Sequence, residues 1–278
     1  MTPDKARAAL ILGANLVFLV AMQPASAADA SPWDGTERAA VRLIAGAMRV
    51  DSAAAIQRAG IEIRLASGWK TYWRYPGDSG LPPRFDFSQS RNVKSVNVRW
   101  PAPQRLADES GVSIGYKHDV VFPLEVTPQD AAQPVTLALK IDYAVCEKIC
   151  VPADGNAELT LSGKAGEQES KLGSAEAKVP KPAALGDNST PGIRAVRRDG
   201  ARILVDVAAP GAVDLFAEGP APDWALPVPS PIAGAPAGQQ RFAFELDGLP
   251  SGATSQGATL MLTAVAGERA IEVPYRLD

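Results

Sequence analysis

The chain has 278 residues, with 28 Lys and Arg, 31 Asp and Glu and a single His. This excludes a highly basic nucleic-acid coat and any site that needs two imidazoles. Its 24 Gly and 24 Pro exceed the roughly 33 that average usage gives, so the composition leans towards strands and turns rather than long helices. Two cysteines, Cys146 and Cys150, are too few for a disulfide-dense scaffold, yet the distinctive chemistry available to the chain sits in that pair.

In chain order, residues 1–27 read as an export signal. Lys5 and Arg7 precede the apolar run Leu10 to Met22, and Ala25-Ser26-Ala27 forms a small-residue cleavage site. The run is short of the about 20 residues that span a bilayer. Export to a secreted or periplasmic compartment is expected, and such an oxidising compartment lets a disulfide form and persist. The remainder suits two domains of ordinary size.

Residues 28–165 show period-two alternation: Ile61, Ile63 and Leu65, then Val96, Val98 and Trp100. One face of each such strand is buried. In the run from Val135 to Cys146, Val135, Leu137, Leu139, Ile141, Tyr143 and Val145 share one phase. Cys146 therefore leaves the strand on the face opposite the core. Ala157, Leu159 and Leu161 mark the returning strand. Pro152 and Asp154-Gly155-Asn156 predict a long connecting loop. Residues 166–190 lose the alternation and read as an interdomain linker with one short helical turn before Pro180.

Alternation returns in residues 191–278, at Ile203, Val205 and Val207, at Phe242, Phe244 and Leu246, and at Ile271, Val273, Tyr275 and Leu277. The Pro-rich run Pro220 to Gly238 reads as an irregular loop. The expected fold is all-β: an immunoglobulin-like β-sandwich followed by a second, smaller β-sandwich.

A fully extended chain would hold residues four apart at about 13 Å, whereas a disulfide needs Cα atoms within about 7 Å. The backbone must therefore curl between Cys146 and Cys150 if they bond. Closing so small a loop gives only about 2 kcal/mol on the loop-entropy model, a poor return for a structural staple. Redox exchange leads this reading, ahead of a structural disulfide and of metal binding. Lys148 would favour a thiolate on either neighbour and Glu147 would oppose it. His118 could serve as a proton acceptor or third metal ligand, or be an ordinary surface residue.

Four stretches, Gly68 to Ser88, Val98 to Pro103, Gly115 to Val126 and Asp142 to Pro152, resemble the periplasmic N-terminal domain of the DsbD thiol:disulfide interchange family, in its ScsB-like branch. The resemblance implies an immunoglobulin-like domain whose cysteine pair relays electrons. The donor would be a membrane electron transporter or a thioredoxin-like domain, here on a separate chain. The acceptor would be a periplasmic disulfide isomerase or reductase. No cofactor and no nucleic acid are implied. It also implies that Cys150, the second cysteine, exchanges with partners while Cys146 resolves. The family shields its pair with an aromatic cap; Ser110 to Tyr116 falls in that region, making Tyr116 the candidate cover. Trp69, Tyr72, Trp73 and Tyr75 are either sandwich core and surface aromatics or an aromatic platform against the disulfide or a partner. Competing with the relay are a Cu(I) site, since soft thiolates select that ion, and a noncatalytic binding module.

Overall fold

A computed structural model describes residues 28–51, 54–77, 80–108 and 111–278. The expected export signal at residues 1–27 lies outside the described residues, as does Ser110. The first half contains β1 (Asp34–Gly35), β2 (Ala39–Ala45), β3 (Arg49–Asp51), β4 (Ala54–Leu65), β5 (Lys70–Gly77) and β6 (Arg84–Asp86). It continues with β7 (Val93–Val98), β8 (Gln104–Asp108), β9 (Gly111–Tyr116), β10 (Val120–Pro128), β11 (Val135–Cys146) and β12 (Cys150–Leu161). A helix, α1 (Glu169–Ala177), leads to β13 (Lys181–Pro182), β14 (Gly192–Asp199), β15 (Arg202–Ala208) and β16 (Asp214–Glu218). The chain closes with β17 (Ser230–Ile232), β18 (Gln239–Glu245), β19 (Thr259–Ala266) and β20 (Arg269–Arg276).

Two β-sandwiches result. The first packs a sheet ordered β1-β2-β4-β10-β7 against one ordered β12-β11-β5-β9-β8. The second packs β13-β20-β19-β16 against β14-β15-β18-β17. Alternation explains the cores: Leu43, Ile61, Ile63, Phe122 and Leu124 of one sheet and Leu137, Ile141, Val145 and Trp73 of the other are buried, as are Ile203, Val205, Val207, Phe242 and Val273 in the second sandwich. Each such side chain contributes roughly 1.5–3 kcal/mol when removed from water.

One local expectation changes. Strand β7 stops at Val98, because the residue before a proline is constrained and Pro101 follows Trp100. The Trp100 ring instead packs edge-on against Phe122 with ring centres 4.9 Å apart. The Pro-rich run holds only β17, and its Trp224 and Leu226 are buried.

Residues 166–190 do more than join the sandwiches. Helix α1 buries Leu172 completely and Ala175 nearly so. The sheet makes room with glycines: a Cβ on Gly46 would come within 2.5 Å of a Leu172 methyl, and one on Gly60 within 3.2 Å. Arg58 grips Glu176 through two nitrogens at 2.8 and 2.7 Å and also pairs with Glu169. Glu169 in turn accepts the Ala47 N–H at 2.7 Å. Strand β13 then joins the second sandwich by parallel pairing with β20. The segment is thus pinned at both ends.

Leu172→Ala should lower unfolding free energy by about 2–4 kcal/mol, read from urea denaturation; a free tether would give almost no change. Hydrogen bonding to Arg58, then to Ala47, holds the Glu169 carboxyl below its usual range. Its contribution is therefore present above the unfolded-state value of about 4.3 and disappears as pH falls through the lower folded value. Glu169→Gln should be destabilising at pH 7, and the difference between variant and wild type should vanish in acid below both values.

Candidate functional site

The ladder between β11 and β12 runs without interruption from Val135 opposite Leu161 to Cys146 opposite Cys150. The expected long loop is therefore a tight hairpin whose turn is Glu147, Lys148 and Ile149. Antiparallel pairing sets the two cysteines face to face, with Cα atoms 4.1 Å apart, and they form a disulfide. The curl that the spacing demanded is supplied by this turn.

Strand phase decides what surrounds the sulfurs. Val145 pairs with Thr71 and Cys146 with Lys70, so Lys70 and Tyr72 share a face with Ala144 and Cys146, away from the sandwich core. Tyr72, Ala144 and Cys146 form a small buried cluster of their own. Cys146 is 2% exposed, whereas Cys150 is exposed. The Tyr72 hydroxyl lies 2.7 Å from Cys146 Sγ and 3.2 Å from Cys150 Sγ. Disulfide sulfurs carry no proton, so the hydroxyl is the donor.

Several contacts hold the Tyr72 ring in place. The chain closes over it at Gly80, whose φ is +138° and where a Cβ would sit 2.4 Å from the ring. Thr71 Oγ1 donates to Ala144 O at 3.0 Å, tying β5 to β11 beside the disulfide. Lys70 Nζ donates to Ser113 Oγ at 3.0 Å. Glu147, Lys148 and Ile149 are exposed on the turn, Ile149 at 71%.

Tyr116 does not cover the disulfide. It pairs with Thr71 and so points into the core, its ring edge-on to Phe122 at 5.5 Å. Its hydroxyl donates to Pro101 O at 2.9 Å, and burial pushes the phenol well above its ordinary value. The segment from Gly111 to Tyr116 is strand β9 rather than a cap loop. His118 lies in the exposed turn between β9 and β10 and lines a cleft with Glu62 and Lys171, outside the sulfur cluster. Among the described residues no three His, Cys, Asp or Glu side chains form a group that could hold a metal ion.

The aromatic residues of β5 do not make one platform. Trp69 packs at the edge of the core beneath the Arg38 guanidinium, 5.5 Å from its ring centre. Trp73 is fully buried, 5.9 Å from the Phe216 ring of the second sandwich. Tyr75 donates its hydroxyl to the backbone oxygen of Trp224 at 2.7 Å. Tyr72 alone among them touches the sulfurs. Its phase in KTYWRYPG was visible, but the β5–β11 register that aims it was not.

No curated protein matches the chain. In fold it is similar to the N-terminal periplasmic domain of ScsB from Proteus mirabilis, with a TM-score of 0.70 at 22% identity, over 91% of this chain and 99% of that one. Among the described residues no helix is long and apolar enough to cross a membrane. The resemblance read from the motifs is shown for the first sandwich: residues 42–162, which include the disulfide hairpin, match the family described as thiol:disulfide interchange protein DsbD, N-terminal.

Proposed function

We propose that this chain is a periplasmic electron relay working by thiol–disulfide exchange at Cys146 and Cys150. The observation that carries the reading is the asymmetry of the pair: an exposed Cys150 beside a buried Cys146 whose sulfur accepts a hydrogen bond from Tyr72. A thiolate of a membrane-linked or thioredoxin-like donor reaches only Cys150 Sγ. Attack forms a mixed disulfide, breaks the Cys146–Cys150 bond and leaves the electron pair on Cys146 as a thiolate. The Tyr72 hydroxyl is already placed to stabilise that charge. A second donor thiolate then takes the mixed disulfide, releasing Cys150.

Delivery runs the same path in reverse. Cys150 thiolate attacks the disulfide of a periplasmic isomerase or reductase, and Cys146 resolves the mixed disulfide. The acceptor leaves as a dithiol with two electrons, and the Cys146–Cys150 bond is restored. Every step uses sulfur, protons and one phenol, so the relay runs without a metal or organic cofactor.

Cys146→Ser should accumulate a stable mixed disulfide with the acceptor through Cys150, seen as a reducible adduct on gels, while Cys150→Ser should trap far less. Equal trapping by both would reverse or abolish the assigned roles. A hydrogen bond to a charged group contributes about 1.5–3 kcal/mol, so Tyr72→Phe should slow opening of the disulfide by dithiothreitol about tenfold or more. His118→Ala should stay within about threefold of wild type, a change under about 1 kcal/mol. Electron delivery that demands added copper and fails in His118→Ala would instead favour a Cu(I) site.

A further inference from the structure

Strand β5 is shared between its own sheet and the second sandwich. It pairs with β11 at Lys70 and Thr71. Its ladder with β9 takes in Thr71, Tyr72 and Gly77, with an irregularity between Tyr72 and Gly77. The three residues that follow Tyr72 also reach the second sandwich. Trp73 meets Phe216. Arg74 donates through Nε and Nη2 to the two carboxylate oxygens of Glu218 at 2.8 and 2.7 Å, and through Nη2 to Glu272 at 2.6 Å. The Tyr75 hydroxyl lies 2.7 Å from Trp224 O and 2.9 Å from Leu226 O. One strand over from β9, Arg105 reaches Asp214 at 3.1 Å and Pro229 O at 2.7 Å.

We infer that the second sandwich is a working part of the disulfide site: by clamping β5 immediately after Tyr72 it fixes the hydroxyl against the sulfurs, making Arg74, Glu218 and Glu272 positioning residues for exchange. The inference rests on the role given above to Tyr72. Successive strand residues are only about 3.3 Å apart, so the Arg74 clamp lies two residues from the residue that touches sulfur. A hydrogen bond weakens steeply once distance and angle drift. Beside the irregular stretch of the ladder between Tyr72 and Gly77, a bidentate guanidinium–carboxylate pair offers both strength and orientation.

The test uses the full chain and a double-mutant cycle. Glu218→Gln with Glu272→Gln removes both charges while keeping side-chain shape; Arg74→Lys keeps the charge but loses the fork. The readouts are the rate of disulfide opening by dithiothreitol and, on the reduced protein, thiolate absorbance against pH. Opening should slow about three- to tenfold in the glutamine double variant, and the thiolate titration should shift in the same direction as in Tyr72→Phe. In a Tyr72→Phe background the same substitutions should add nothing. An equal slowing in both backgrounds, or none in a variant whose circular dichroism is native, would overturn the inference. Should the glutamine variant misfold, Arg74→Lys is read against the same two outcomes. If Tyr72→Phe itself leaves the opening rate unchanged, the clamp has nothing to transmit and falls with the Tyr72 role. Trapping through Cys150 tests the exchange reading separately.

Discussion

Everything distinctive about this molecule follows from the antiparallel register of β11 and β12, because it ends with Cys146 opposite Cys150. Directly opposed residues of an antiparallel pair come as close as about 4.5 Å between Cα atoms, so the disulfide forms across the ladder. The same register gives the two sulfurs unequal surroundings. Cys146 sits inside the sheet with β5 as a neighbour, whereas β12 is an edge strand and Cys150 is its first residue. Access is thus unequal at two atoms joined by one bond. A reaction that must attack one sulfur and expel the other gains its direction from that difference.

The period-two pattern made the two sandwiches legible, and with them the placement of Cys146 on the face away from the core. The tight hairpin was not legible, because Pro152 and Asp154-Gly155-Asn156 read as a turn. They lie within β12, where an edge strand tolerates proline. Gly155 is needed there because a Cβ would sit 2.3 Å from a Val41 methyl, and the Asn156 N–H is taken by Asp34 at 2.7 Å. Residues that break most strands are here shaped by what packs across them. The same limit left Tyr116, taken from the family's cap region, and Tyr72, one of several candidate platform aromatics, unresolved: alternation gives each strand's phase, but only the register between β5, β9 and β11 says which phase meets the sulfurs.

Helix α1 and the interface between sandwiches show a second kind of information that local pattern lacks. The residues from Lys164 to Gly192 have the composition of a tether, yet one leucine and two glutamates seat nine of them on the first sandwich. The Pro-rich run, irregular as expected, supplies the backbone oxygens that receive Tyr75 and Arg105. A segment with little regular structure has carbonyls to spare for side chains from elsewhere. Irregularity of backbone and precision of contact are therefore compatible.

The chemistry of that interface decides what it is good for. Trp73 and Phe216 join the two apolar cores, but apolar contact is non-directional and would permit small rotations of one sandwich against the other. The ionic cluster restricts them. Burial works against the Arg74 cation, yet hydrogen bonds and charge from Glu218, and then from Glu272, outweigh it and push its pKa up. Burial also pushes the Glu218 carboxyl up, against the pull of Arg74 and with added repulsion from Glu272. Two carboxylates thus compete for one guanidinium at partly buried positions, where desolvation cancels much of the Coulomb gain. Such a cluster contributes little net stability for the geometry it demands. What it contributes is orientation: the fork admits few arrangements of Arg74, and Arg74 is two residues along an extended strand from the phenol that faces Cys146.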